Sequence, residues 1–138
     1  MSELSLKIVT PEEEVMNEQV DQVNVSTSQG EIGILPNHAN LMAKLIPGEL
    51  KIKRSGKISY FAIGHGFLQV ENNGLTIMTD LAENAEEIDE KAVEQAKKRA
   101  EEALEQKLGN EEYAETLAAL EKSLAQLRVK RRNHSRSL

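Results

Sequence analysis

The sequence predicts an α+β protein in which an N-terminal β-sandwich precedes an antiparallel two-helix hairpin. In the first part, apolar and polar side chains alternate with the period of two that is typical of half-buried strands. Residues that favour turns separate these segments roughly every 8–12 positions, as in sandwiches and barrels. Beyond residue 85, small and apolar residues recur every three or four positions, which indicates helices. We therefore predict a sandwich over residues 1–85 and a helical hairpin over residues 86–138.

Four segments of the first part show the strand pattern most clearly. Ser55-Gly56 and Asn72-Asn73-Gly74 interrupt two of them, and such residues tolerate the positive φ angles of tight hairpin turns. The residues predicted to share buried faces are Leu4, Leu6 and Ile8; Val23, Val25 and Thr27; Leu50, Ile52, Ile58, Tyr60 and Ala62; and Leu75, Ile77 and Thr79.

The segment GEIGILPNHANL, residues 30–41, combines apolar residues with Gly30, Gly33, Pro36 and Asn37. The latter residues favour turns or bulges, so we expect an exposed loop with Glu31 near one end and His38 near the other. The apolar residues of the segment are expected to be buried, namely Ile32, Ile34 and Leu35.

The helical part divides at Gly109 and Asn110. The first helix is predicted from Ile88 to Leu108, with Asp89 as its N-cap and acidic residues in its first turn. Gly109 is expected to end this helix, and the side chain of Asn110 is expected to cap the next one. Because the connection is short, we expect the two helices to run antiparallel.

The facing residues of the two helices predict how strongly the helices hold together. The first helix presents mostly alanine, which buries little apolar area: Ala92, Ala96, Ala100 and Ala103. The second helix presents a narrow heptad seam, made of Tyr113, Leu117, Leu120, Leu124 and Leu127. We therefore expect a weakly held pair that can part at its joint.

The net charge of −6 conceals a basic C-terminus on an acidic body. Residues 128–138 contain no acidic residue but carry Arg128, Lys130, Arg131, Arg132 and Arg136. This segment predicts either a frayed, solvated chain end or a site for an acidic partner. A nucleic acid is a poor candidate partner, because only 3% of the residues are aromatic and could stack on bases.

The composition argues against several other classes of protein. No apolar run is long enough to cross a bilayer, and the N-terminus lacks the pattern of a signal peptide. The absence of cysteine excludes disulfides, thiolate nucleophiles and cysteine metal sites. His38, His65 and His134 are far apart in the sequence, and His65, between two glycines, is expected to occupy a surface turn. We predict no catalytic, cofactor-binding or metal-binding residues.

Three segments carry a resemblance to a known family. Residues 30–41 are similar to a Gly-Glu-Leu-Gly-Ile-Leu-Pro-Gly-His stretch, and FAIGHGFLQV, residues 61–70, is similar to a second sandwich signature of the same family. Residues 80–104 match the family's transition from a sandwich to a helical hairpin. On these segments the chain is identified as a member of the epsilon subunits of bacterial F-type ATP synthases.

The resemblance implies a noncatalytic subunit of the rotor's central stalk. Its sandwich would contact the gamma subunit and the ring of c subunits, with Glu31 and His38 at the c-ring interface. Its hairpin would permit ATP hydrolysis when folded down, and would inhibit the catalytic head of alpha and beta subunits when extended. Gly109 and Asn110 would form the hinge. The inhibitory tail that meets acidic helices of the beta subunits would consist of Arg128, Lys130, Arg131 and Arg132.

Some members of this family bind ATP on the folded hairpin through an Ile/Leu-Asp-x-x-Arg-Ala motif. Ile88 and Asp89 match the motif, but Ala92 and Val93 stand where it has arginine and alanine. Alanine supplies none of the donors with which a guanidinium binds phosphate. We therefore expect no bound cofactor and no tight binding of ATP.

A second interpretation stays open at this point. The chain could be a free-standing soluble regulator whose helix pair docks on an acidic protein partner. The resemblance instead implies a position at the cytoplasmic face of the bacterial plasma membrane, with contact to the membrane only through the c ring. The absence of a transit peptide favours a bacterium over an organelle.

Overall fold

The computed structural model describes residues 3–136, so residues 1–2 and 137–138 of the two predicted domains lie outside the described part. Nine strands are followed by one short 3₁₀ turn, Ala85–Glu87, and two helices. The strands are β1 Leu4–Val9, β2 Glu14–Val20, β3 Gln22–Thr27, β4 Gly30–Ile34, β5 Leu41–Arg54, β6 Lys57–Ile63, β7 Gly66–Glu71, β8 Gly74–Thr79 and β9 Ala82–Asn84. The helices are α1 Glu90–Leu104 and α2 Asn110–Arg136. The predicted sandwich followed by two helices is confirmed.

The long strand β5 belongs to both layers of the sandwich. Its first part, from Leu41 to Leu45, pairs with β7, and its second part, from Gly48 to Arg54, pairs with β6. Pro47 lies between the two parts, where the missing N–H of a proline interrupts no regular ladder. The strand order is β2-β1-β8-β7-β5-β3-β4, with β6 pairing β5 and β9. All pairs are antiparallel except β1 with β8.

The two predicted hairpin turns are confirmed. Ser55 and Gly56 have φ angles of 50° and 80°, and Asn72 and Asn73 have φ angles of 49° and 63°. Two successive positive φ angles are the signature of a type I′ turn, whose twist matches that of the flanking strands. These turns set the registers Arg54↔Lys57 and Glu71↔Gly74.

The sandwich has a continuous apolar core between its layers. Most of the residues predicted from the period of two are fully buried there, including Leu4, Leu6, Ile8, Val23, Val25, Leu50, Ile52, Leu75 and Ile77. The prediction is wrong for part of β6: Ile58 is 47% exposed, while Tyr60 and Ala62 face the helices instead of the core. When protein covers both faces of a strand, apolar residues occur on both faces, and the alternation of apolar and polar residues that marks a half-buried strand is lost.

A second apolar cluster joins the hairpin to the sandwich. It contains residues of β6, of the 3₁₀ turn and its neighbour, and of both helices: Ala62, Ala85, Ile88, Val93, Leu127 and Val129. The hairpin is therefore docked against the outer face of the sandwich. Arg131, near the end of α2, contacts Glu90 at the start of α1, so the two helices are antiparallel as expected.

The first helix is shorter than predicted. Asp89 caps it as expected, accepting a hydrogen bond from the N–H of Ala92 at 3.2 Å. The helix ends at Leu104, however, and not at Leu108. The predicted stripe is also wrong at Ala92, which is exposed, because Val93 is the residue that turns towards the sandwich.

The prediction that the heptad seam of the second helix is buried is wrong over much of its length. Tyr113 is 49% exposed, and Leu117 and Leu124 are 37% and 38% exposed. Only Leu127 of the five seam residues is fully buried. The helix α2 must face both α1 and the sandwich, so its buried side is broad: Ser123, Ala125, Leu127 and Val129. A narrow seam suits a helix with a single partner.

The joint between the helices also differs from the prediction. The carbonyl of Gly109 accepts a hydrogen bond from the N–H of Tyr113 at 2.9 Å, so Gly109 occupies the N-cap position. Asn110 is the first residue of α2 and does not precede it. Gly109 is not among the described glycines with positive φ, so it does not end α1 in a left-handed conformation.

The segment of residues 30–41 is only partly a loop. Gly30–Ile34 forms β4, which pairs with β3 in the register Ser26↔Glu31. Ile34 is buried as predicted, but Leu35 is 55% exposed because it follows the strand's end. The turn lies beyond, at Asn37, whose φ is 67°.

Candidate functional site: the docking face of the helical hairpin

Polar contacts accompany the apolar cluster along the whole docked length of α2. At the end nearer the helix start they join α2 to the last strands of the sandwich. These contacts are His65 Nε2–Glu121 Oε2 at 3.1 Å, Lys122 Nζ–Asp80 Oδ2 at 3.4 Å and Gln126 Nε2–Glu83 Oε1 at 2.7 Å. Lys130 Nζ also donates to the carbonyl of Ala85 at 3.1 Å. Among the described residues, α2 is thus held on the sandwich by polar contacts at several positions along its length as well as by its apolar side chains.

A bidentate ion pair lies at the C-terminal end of α2. Arg136 donates two hydrogen bonds of 3.0 Å to the two carboxylate oxygens of Glu49, and its guanidinium carbon lies 3.7 Å from the centre of the Tyr60 ring. Arg132 lies 3.8 Å from the same carboxylate. The hydrogen bonds that Arg136 donates to Glu49 raise the pKa of Arg136 above its usual value, against a smaller lowering by burial. A bidentate arginine–carboxylate pair is both stronger and more specific in geometry than a single contact.

A different ion pair closes the hairpin itself. Arg131 contacts Glu90 at 2.9 Å and Glu94 at 2.6 Å, and both carboxylates belong to α1. The hydrogen bond to Glu90 makes the largest contribution to the raised pKa of Arg131. This pair joins helix to helix, whereas the Glu49 contacts join helix to sandwich.

The described part of the basic C-terminal segment, residues 128–136, is helical and not frayed. The helix α2 continues to Arg136 and so includes Arg128, Lys130, Arg131, Arg132 and Arg136. Lys130, Arg131 and Arg132 of the predicted inhibitory tail contact other parts of the chain. Arg128 makes no ion pair with the other described residues. It lines a groove of about 290 Å³ beside α2, together with Glu31, Lys51, Glu49, Arg132 and Arg136.

The GHGF segment fits its surroundings through close packing of its backbone. A β-carbon at Gly64 would overlap the carboxylate of Asp80, and one at Gly66 would overlap the carbonyl oxygen of Met78. His65 between them lies at the surface as predicted, but it also contacts Glu121 of α2. Asp80 holds Lys122 through Oδ2, while its buried Oδ1 has no hydrogen-bond partner within residues 3–136.

The sandwich exposes apolar side chains on the strands that the hairpin leaves uncovered. Met42 is 67% exposed, Phe67 53% and Met78 40%. Phe67 pairs with Met78 on β8 and with Lys44 on β5, two residues from Met42, so the three side chains share one outer face. We call this surface the apolar face; such a patch on a soluble domain usually marks a contact with another protein.

Family models match both parts of this architecture. The model described as ATP synthase, Delta/Epsilon chain, beta-sandwich domain matches residues 3–85, and the long alpha-helix domain of the same chain matches residues 86–131. The chain belongs to the ATP synthase delta/epsilon chain family.

Relatives within the family match over nearly their full length. The ATP synthase epsilon chain of Herpetosiphon aurantiacus is 39% identical over 133 residues, which cover 96% of this chain and 98% of that one. The epsilon chain of Caldicellulosiruptor bescii is 40% identical over 133 residues, covering 96% and 97%.

Two solved structures show similar folds. A chain from the Euglena gracilis mitochondrial ATP synthase, solved as its OSCP, F1 and c-ring, superposes with a TM-score of 0.73 at 26% identity, covering 91% of this chain and 79% of that one. A chain of the central stalk and c-ring of the Tetrahymena thermophila enzyme gives a TM-score of 0.61 over 94% and 95% of the two chains. At 18% identity the second likeness concerns the fold alone.

Residues 88–93, which the resemblance aligns with an ATP-binding motif, make other contacts in the structure. Ile88 and Val93 are buried in the cluster between hairpin and sandwich, and Asp89 caps α1. Ala92, at the position of the motif's arginine, is exposed. Gln126 of α2 donates a hydrogen bond to Glu83 in β9. Within residues 3–136, no three histidine, aspartate or glutamate side chains converge as a metal site would require.

The two residues expected at the c-ring interface lie apart along the sandwich. Glu31 is exposed in β4 and lines the groove beside α2, whereas His38 follows the turn beyond the end of β4 and is partly buried. Nδ1 of His38 lies 2.7 Å from the carbonyl oxygen of Ala39, and the N–H of Asn37 donates to Asn73 at 2.6 Å. The structure instead brings together Glu49, Tyr60 and Arg136. The sequence pattern predicts only a buried strand position for Tyr60 and a basic segment for Arg136, and it gives no signal for Glu49.

No helix among the described residues combines the length and apolar character that a membrane span requires.

Proposed function

We propose that this chain is a noncatalytic central-stalk subunit of a proton-translocating F-type ATP synthase. It couples the c ring to the catalytic head. The match of family models to residues 3–131, together with full-length epsilon-chain relatives, is the observation that carries this proposal. The Euglena and Tetrahymena chains with similar folds come from assemblies that contain a c-ring.

The sandwich supplies the surfaces for fixed partners in this proposal. The apolar face of Met42, Phe67 and Met78 suits a lasting contact with the gamma subunit, since exposed apolar area of this kind is normally covered. Glu31 and His38 contact the c ring, which is the chain's only link to the membrane. The subunit thus lies at the cytoplasmic face of the bacterial plasma membrane; the curated relatives named above are bacterial.

The hairpin supplies the regulatory element. Docked on the sandwich it permits hydrolysis, and released at the hinge of Gly109 and Asn110 it extends towards the alpha and beta subunits and inhibits them. The released state presents the inhibitory tail, Arg128, Lys130, Arg131 and Arg132, to acidic helices. Laid end to end, α1 and α2 would reach roughly 60 Å, at about 1.5 Å per residue over their 42 residues.

The hairpin has no role as a tight ATP sensor in this proposal. Ala92 cannot replace a phosphate-binding guanidinium, and Gln126 of α2 donates its hydrogen bond to Glu83 of the sandwich. Titration of the isolated chain with ATP tests this point, and a dissociation constant in the low micromolar range would contradict it.

Reconstitution of the complex tests the proposed function. The full chain is compared with a chain that ends at residue 87, which keeps the sandwich core and lacks both helices. Both chains are expected to co-purify with a stalk subunit and the c ring, and the complex with the short chain is expected to hydrolyse ATP severalfold faster.

A chain that ends at residue 127 tests the tail separately and is also expected to raise hydrolysis. A full chain that fails to co-purify with the stalk would favour the alternative, a free-standing regulator that docks on another acidic partner. Equal hydrolysis rates for all three chains would exclude the inhibitory role of the hairpin.

A further inference from the structure

We propose that Glu49 competes with the acidic partner for one arginine face of α2, so that docking of the hairpin and binding of the partner exclude each other. This inference rests on the proposed function, in which the hairpin leaves the sandwich. It adds a residue of the sandwich that controls the release.

The arginine face consists of Arg128, Arg132 and Arg136. Residues four apart lie above one another on a helix, so the three guanidinium groups form a row about 12 Å long. In the docked hairpin, the row points into the groove beside Glu49. Glu49 receives two hydrogen bonds from Arg136 and lies 3.8 Å from Arg132.

Glu49 is suited to this role because the hairpin covers it. Its side chain is only 14% exposed, although it lies on the outer face of the sandwich. A carboxylate that loses water must gain close partners, and here the described partners are two residues of the same helix. When the hairpin leaves, water again solvates Glu49, and the arginine face needs another carboxylate.

The remaining ion pairs do not involve the arginine face. Arg131 binds Glu90 and Glu94 of α1, so this contact joins the two helices to each other and does not hold α2 on the sandwich. The other polar contacts across the docking interface use other residues of α2, namely Glu121, Lys122, Gln126 and Lys130. Glu49 is therefore the carboxylate whose loss weakens docking and frees the arginine face at the same time.

The chemistry of the partner follows from this arrangement. It presents several carboxylates spaced by about one helical turn, so that they match the row of guanidinium groups. Exchange of Glu49 for such a carboxylate replaces one charge-assisted pair by another, so Arg136 has a carboxylate partner in both states. The balance between the two states then depends on small differences in free energy, as a regulatory switch requires.

A distance measurement on the isolated full chain tests the proposal. Because the chain has no cysteine, spin labels can be attached at Lys53→Cys on β5 and Ser135→Cys on α2, both at exposed positions. In the Glu49→Gln variant, the ratio of undocked to docked molecules is expected to rise about five- to tenfold. This is the difference expected when a bidentate pair of two ionised groups becomes a hydrogen bond from the guanidinium to a neutral amide.

The control is Glu90→Gln, which removes a more exposed arginine partner within the hairpin, since the Glu90 side chain is 45% exposed and that of Glu49 is 14% exposed. Its ratio of undocked to docked molecules is expected to stay within about twofold of the wild type. The Arg136→Gln variant should reproduce the effect of Glu49→Gln, and the double variant should add little to either, as expected of two partners in one pair. A ratio for Glu49→Gln within twofold of the wild type would overturn the proposal.

Competition is tested on the same chains with poly-L-glutamate as the acidic probe. Glu49→Gln should bind the probe about five- to tenfold more tightly than the wild type, and Glu90→Gln should not. Equal affinities of the wild type and Glu49→Gln would also overturn the proposal. Neither measurement uses the ATP synthase, so if both succeed while Glu49→Gln leaves hydrolysis by the complex unchanged, the proposed inhibitory function fails and the competition stands.

Discussion

At the scale of single residues, the glycines of the GHGF segment occupy positions where neighbouring atoms leave no room for a β-carbon. Gly66 lies where a β-carbon would overlap the backbone carbonyl of Met78, and backbone cannot move aside as a flexible side chain can. Gly64 lies similarly close to the carboxylate of Asp80. His65 between them is free to carry a side chain, which reaches Glu121. The spacing of this motif is therefore explained by packing, without a phosphate or a catalytic role.

The Gly66→Ala variant is expected to lower the free energy of unfolding by at least about 1–3 kcal/mol, the cost typical of overpacking. Urea denaturation followed by circular dichroism measures this change. The control is Gly109→Ala, where a β-carbon meets nothing within 4 Å and φ is not in the left-handed region. Its free energy of unfolding should change by less than about 1 kcal/mol. Equal losses in the two variants would contradict the packing explanation.

At the scale of secondary-structure elements, α2 has two contact surfaces because it lies between α1 and the sandwich. Leu127 and Val129 are buried in the cluster that joins the hairpin to the sandwich, whereas Leu124 stays 38% exposed. The leucines of the predicted seam are thus not equivalent, although the sequence spaces them regularly. Docking of α2 depends on the few apolar residues near its C-terminal half and on the polar contacts around them.

The Leu127→Ala variant is expected to destabilise the docked helices by about 2–5 kcal/mol, because it removes a fully buried side chain and leaves a cavity. Leu124→Ala is the matched control, with an expected loss below about 1 kcal/mol. Hydrogen exchange of the amides of α2 measures both changes within one chain. Similar protection in the two variants would show that the regular seam, and not the docking interface, holds α2.

At the scale of the whole molecule, the chain divides its surfaces between a rigid sandwich and a releasable hairpin. The sandwich keeps its own closed core, so it can hold fixed partners while the helices move. The hairpin shares only a small apolar cluster with it, together with contacts such as those of Glu49 and Arg136. Such an interface is consistent with a released state at modest cost in free energy.

The Glu31→Ala/His38→Ala double variant tests the fixed contact of the proposed subunit with the c ring. Proton-driven ATP synthesis by the complex is expected to fall, because two polar contacts at a torque-bearing interface are lost. The thermal midpoint of the isolated chain should stay nearly unchanged, since Glu31 is exposed and His38 only partly buried. Unchanged synthesis would remove these residues from the proposed interface.

The features that the sequence by itself determined are local ones. The core strands follow from a period of two, the turns at Ser55-Gly56 and Asn72-Asn73 from residues that tolerate positive φ, and the start of α1 from the cap at Asp89. Each of these depends on neighbours a few positions away, so a single sequence reveals them.

Only the tertiary structure decided which faces of the helices are buried and which charges are paired. Arg136 meets Glu49 across 87 positions of the chain, and no local pattern distinguishes Glu49 from other outward-facing acids on a strand. The same separation in sequence explains why the sequence leaves open whether the basic end is frayed or forms a contact, since Glu49 and Tyr60 belong to a surface that exists only after the sandwich has folded. Burial and ion pairing depend on proximity in space, and a short stretch of sequence does not determine which distant residues become neighbours.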